Sequence, residues 1–125
     1  MAENKDIFTT ITPKMVLGQL FKSRDVMHIV HLRTNSFAVH KATDTYYNEI
    51  LDLTDKLTEV HFGVTGKKEF DEIPSAKYID PTSHLKDVCY YLTGNRKVFT
   101  TTAEQNIIDE ILALVYQTLY RLTLE

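Results

Sequence analysis

Five side chains that can ligate a metal, His28, His40, Asp44, Asp55 and Glu59, stand in a spacing that a helix turns into a pattern. Imidazole and carboxylate together suit iron, zinc or manganese. At about 100° per residue from His40, Asp44 falls near 40°, Asp55 near 60° and Glu59 near 100°. Asn48 and Asp52 lie beside this stripe. Val39, Tyr46, Ile50, Leu53, Leu57 and Val60 occupy another, at about 200° to 280°. A helix here has a core face and, apart from it, a ligand-type face. A solvated charged face is the commoner use of such a stripe.

Reach along the axis limits what one chain can do. Glu59 lies nineteen residues beyond His40, about 28 Å at 1.5 Å per residue. Metal bonds are about 2 Å long, so the two cannot share an ion within one helix. A second, antiparallel copy removes the difficulty. The residue numbers pair off about a centre near 49 and 50, setting His40 against the partner copy's glutamate and Asp44 against its second aspartate. Such isologous two-fold contacts are the commonest oligomeric arrangement.

The order His28, eleven residues, His40, three residues, Asp44, ten residues, Asp55, three residues, Glu59 resembles the ferroxidase motif of Dps proteins, the bacterial miniferritins. The phrases SFAVHKATD and DKLTE look like that family's second-helix segments, and the likeness covers residues 15–63. The resemblance implies two equivalent sites in a dimer interface. Each would take His28, His40 and Asp44 from one chain and Asp55 and Glu59 from the other, with Fe²⁺ bound and oxidised. His31, Tyr47 and Asp52 would be supporting neighbours. The family has a Trp after its first histidine, whereas this chain has Ile29 and no Trp, so Tyr47 becomes the redox-active neighbour. The phrases SRDVMHIVHLRTNSFAVHKA and QNIIDEILALVYQTLYRL resemble a second group, small uncharacterised bacteriophage proteins.

These residues need helices to position them. Residues 1–11 read as an arm, with Ile7, Phe8 and Ile11 available to dock on a neighbour. Thr12 before Pro13 is an N-cap and first helical position, opening a helix that runs to about Arg33 with Leu17, Leu20, Phe21, Met27 and Val30 inward. A second helix starts near Ser36, so His28 is expected alongside His40. It continues to about Phe62 and stops at Gly63 as a left-handed cap. Residues 63–80 form a long crossover. Asp80-Pro81 opens a short third helix over 81–93, ending at Gly94, with Leu85, Val88, Cys89 and Leu92 inward. His84, in its first turn, is expected neutral or exposed, and His61 on the surface. Thr101 and Glu104 fit a capping box for a last helix reaching about Leu122.

The fold expected is therefore all-α: one ferritin-like four-helix bundle over residues 12–125, with the crossover between its second and third helices. Composition agrees, being 43% hydrophobic and 25% charged, as in ordinary globular proteins. A net charge of −3 with no basic run argues against coating DNA, which needs many phosphate contacts. The lone cysteine, Cys89, allows no disulfide within the chain and suits a reducing compartment. MAENKDIFTT lacks a secretory apolar segment, and no apolar run reaches the ~18 residues of a membrane span, so the cytoplasm is expected, that of the host cell if the chain is phage-encoded.

Three functions follow as expectations. The first is a Dps-like homodimer, or larger oligomer, holding iron, zinc or manganese in its interface. The second is a non-catalytic phage-type protein that binds a host protein, its dimer interface holding a structural metal or none. The third, ranked below both, is a magnesium-dependent all-α pyrophosphohydrolase using Asp52, Asp55 and Glu59.

Overall fold

The computed structural model describes residues 10–124, which form four α-helices and no strand. The helices are α1 (Pro13–Arg33), α2 (Phe37–Thr65), α3 (Pro81–Asn95) and α4 (Thr102–Arg121), with one 3-10 turn, Arg96–Val98, before α4. Of the expected arm, residues 1–9 lie outside the described part, while Ile11 packs against the core.

Each helix begins where a short polar side chain takes up an orphan amide of the first turn. Thr12, Ser36 and Asp80 accept from the amides of Met15, Val39 and Ser83. Thr101 accepts from the Glu104 amide, and the Glu104 carboxylate returns a bond to the Thr101 amide at 3.1 Å, completing the capping box.

Two helix ends differ from expectation. Gly63 stays helical and α2 runs on to Thr65, where Gly66 takes the left-handed φ of 73° and its amide bonds Phe62 O. A glycine permits that backbone without requiring it. The choice falls on Gly66, where the Thr65 hydroxyl accepts from the Lys67 amide at 3.1 Å. Gly94 is likewise helical, with α3 ending at Asn95. Arg96 holds the following turn against α4, its guanidinium meeting Gln105 Oε1 and Asp109 Oδ1, both at 2.6 Å.

α1 and α2 are antiparallel, joined through residues 34–36. The crossover, residues 67–80, then retraces α1 from its start to its end. Asp71 pairs with Lys14 at 2.7 Å, and Phe70 meets Phe21 edge-on with ring centres 5.6 Å apart. Tyr78 lies under the Arg33 guanidinium at 4.2 Å. Close passage is possible because residue 18 is glycine: a Cβ there would sit 3.3 Å from the Glu72 carbonyl oxygen. The return path starts α3 at the same end as α2. α4 runs back, packing on α2 and α3, while α3 also packs on α1. The helices so close a ring around Leu17, Leu20, Met27, Ile50, Leu57, Leu85, Ile108 and Ile111, all buried. Each such side chain contributes about 1.5–3 kcal/mol by leaving water.

Candidate functional site

The first hairpin gathers three of the five histidines on one outer face. The rings of His31 and His40 stack with centres 3.7 Å apart and 23° between planes. Each bonds the other's backbone: His31 Nδ1 donates to His40 O at 2.8 Å and His40 Nδ1 to His31 O at 3.2 Å. A carbonyl oxygen only accepts, so in each bond the ring Nδ1 is the donor. His28 does not meet His40. It stacks on Tyr47 at 4.4 Å, and the Arg24 guanidinium lies 5.5 Å from the same tyrosine ring. The hairpin register is the cause. With residue 31 opposite 40, three residues upstream on α1 correspond to three downstream on α2, so His28 comes level with the small Thr43 and leans onto Tyr47.

The carboxylates of the expected site are dispersed. Asp44 is half-buried and accepts from Asn48 Nδ2 at 3.4 Å, while Asp52, Asp55 and Glu59 are exposed along α2. Among the described residues, no three His, Cys, Asp or Glu side chains converge on a point where they could hold a metal ion. That applies to His28, His40 and Asp44, the share expected from one chain, and to Asp52, Asp55 and Glu59, the expected magnesium carboxylates. The donors of one chain therefore do not by themselves fit the metal that the resemblance implies.

Two other polar clusters are built across helices, and both are largely buried. Ser23 Oγ on α1 lies 2.7 Å from the Tyr46 hydroxyl on α2 and 2.8 Å from His84 Nε2 on α3. All three residues are buried. Burial pushes the His84 imidazole down to about 4, with the Lys22 charge adding to the effect and Asp87 opposing it. The helix position of His84 left neutral or exposed as alternatives, and burial decides for neutral. Burial pushes the Tyr46 phenol up, against the Ser23 hydrogen bond.

The second cluster corrects the surface assignment of His61. Its side chain is 12% exposed, set edge-on to Phe99 at 5.2 Å, and its Nδ1 donates to Glu104 Oε2 at 2.6 Å. Burial raises the Glu104 pKa, but hydrogen bonds from His61 and from the Thr101 hydroxyl and amide outweigh it and hold the carboxyl below its usual value. The capping box marked Glu104, but nothing local named His61 as its partner. Cys89, expected in the core, is half-buried and donates its thiol to the Tyr116 hydroxyl at 3.2 Å.

Residues 31–122, from the last turn of α1 to the end of α4, match DUF5856, a family of unknown function. The chain belongs to that family. This DUF5856 member is also 35% identical, over 111 residues, to an uncharacterised 14.6 kDa protein from the mobD-ri intergenic region of Enterobacteria phage T4. The match covers 87% of this chain and 86% of the phage protein. Neither match is to a ferritin or a Dps protein, and no solved structure matches the DUF5856 chain. Among the described residues no helix is long and apolar enough to cross a membrane.

Proposed function

We propose that this DUF5856 chain is a non-catalytic, phage-type interaction protein, acting in the host cytoplasm by binding a host protein. The observation carrying this reading is the placement of its chemistry-bearing side chains. Those with strongly shifted protonation, Tyr46 and His84, are buried and both bonded to Ser23. Ser23 is fully buried, so no substrate reaches its oxygen, and only the edge of His84, 8% exposed, borders the cavity of about 240 Å³ between α1 and α3. Those outside do not converge. The surface instead exposes Leu32, Phe37, Tyr90, Tyr116 and Tyr120 to water. The T4 relative supports the phage setting. The scaffold is ferritin-like in our reading, supported by an antiparallel first pair, a crossover running the length of α1, and a short α3 before α4.

Metal analysis of protein purified without chelator, followed by an Fe²⁺ oxidation assay, tests this. Substoichiometric metal and oxidation no faster than buffer support the binding role. Stoichiometric iron that disappears on Glu59→Ala, together with accelerated oxidation, overturns it for the Dps-like reading. One observation favours that second reading: His40, Asp55 and Glu59 are exposed and, among the described residues, outside any ion pair. They are thus open to a second chain, with iron, zinc or manganese between.

A further inference from the structure

The outer groove between α2 and α4 has two lobes of opposite charge. The middle lobe, a cavity of about 410 Å³, sets Glu49 and Asp52 on one wall and Glu110 on the other, above Leu53 and Leu114. The end lobe, about 400 Å³, lies between the start of α2 and the end of α4, where Lys41 and Arg121 stand beside Phe37 and Leu124. Among the described residues Lys41, Glu49, Asp52 and Glu110 join no ion pair. Among the described residues, Arg121 Nη1 is shielded from solvent and has no hydrogen-bond partner. Phe37 and Leu124 are 76% and 49% exposed.

We propose that this groove docks a second copy of the chain, turned end for end about a two-fold axis near Thr45, with each copy's Lys41 and Arg121 entering the other's Glu49, Asp52 and Glu110 lobe. The lobe centres are about ten residues apart along α2, or about 15 Å. A two-fold axis midway carries each lobe onto the other, so both charge sets are matched in one step. A basic peptide would answer only the middle lobe, and a small anion only the end lobe. A second copy answers both and covers Phe37 and Leu124 as well. Thr45, a small half-buried side chain at the edge of the end lobe, lets the two α2 rods approach near the axis. This face lies about 100° round α2 from the His40, Asp44, Asp55 and Glu59 stripe. The proposal stands independently of metal binding and of any host partner.

Sedimentation velocity over a concentration series tests it with three proteins. The unsubstituted chain self-associates, and added salt weakens the association. Lys41→Glu/Arg121→Glu and Glu49→Lys/Asp52→Lys/Glu110→Lys each associate at least tenfold more weakly. Their equimolar mixture regains a dimer, since every lobe then faces its opposite. Circular dichroism establishes that each variant is folded. Should Arg121→Glu unfold the chain, Thr45→Cys in a Cys89→Ser background decides instead: oxidation yields a disulfide-linked dimer, and Asp55→Cys yields none. Three results overturn the proposal: an unsubstituted chain that stays monomeric, whether or not it binds a lysine-rich peptide; folded variants whose mixture stays monomeric; or a crosslink at residue 55 in place of 45.

Discussion

The histidines divide into two regions that the fold treats differently. His61 and His84 are enclosed, and each has a partner brought from another helix: Glu104 on α4 for the first, Ser23 on α1 for the second. His28, His31 and His40 sit on the outer face of one hairpin and partner each other and Tyr47. His61 was expected on the surface and is enclosed; His28 and His40 were expected as metal ligands with His31 beside them, and within one chain it is His31 that stacks on His40 while His28 stacks on Tyr47. A residue's type sets what it can do; the element facing it sets whether it does.

Four substitutions or conditions press on this difference, in falling order of effect. Glu104→Ala leaves His61 without its carboxylate and removes half the capping box. Stability measured by urea denaturation should fall by about 3–5 kcal/mol. Acid comes next, through His84. Its native pKa is lowered to about 4 from the model-peptide value of 6.5, so between those values the unfolded chain takes a proton that the native chain refuses. Its contribution is complete above about pH 6.5, is lost progressively down to about pH 4 and amounts to about 3 kcal/mol. His84→Met should flatten that part of the stability profile; an unchanged slope between pH 6.5 and pH 4 means the proton is taken up elsewhere.

The outer trio should respond less. His31→Ala removes a stacked ring and one hydrogen bond at the hairpin end, for about 1 kcal/mol. Smallest of all is Glu59→Ala, expected within about 0.5 kcal/mol of the unsubstituted chain because the side chain is solvated. A loss at Glu59 as large as that at Glu104 would erase the distinction between the regions and point to a carboxylate buried against a second chain.

Helix starts were well marked in the amino-acid order because an N-cap is a contact between residues three apart. Thr12-Pro13, Ser36, Asp80-Pro81 and Thr101 with Glu104 each open a helix where expected. Helix ends were poorly marked. Gly63 and Gly94 looked like stops, yet neither takes a positive φ, and α2 ends three residues later at Gly66. The stripe on α2 was legible too, since Tyr46, Ile50 and Leu57 are buried and Asp52, Asp55 and Glu59 exposed. What could not be read was convergence. His28 was set against His40, but His31 occupies that place, because register across the hairpin differs from the guess by one turn of helix.

By itself, then, the amino-acid order determined the all-α class, the helix starts and the inward face of α2, all properties of neighbours along one rod. Only the tertiary structure decided that His61 would find Glu104, that Ser23 would bridge Tyr46 and His84 and leave that imidazole buried and neutral, and that His28 would stand apart from His40. The reason is geometric: closeness between rods depends on their relative shift and rotation, and a shift of one residue turns a side chain by about 100°. No local pattern encodes that angle.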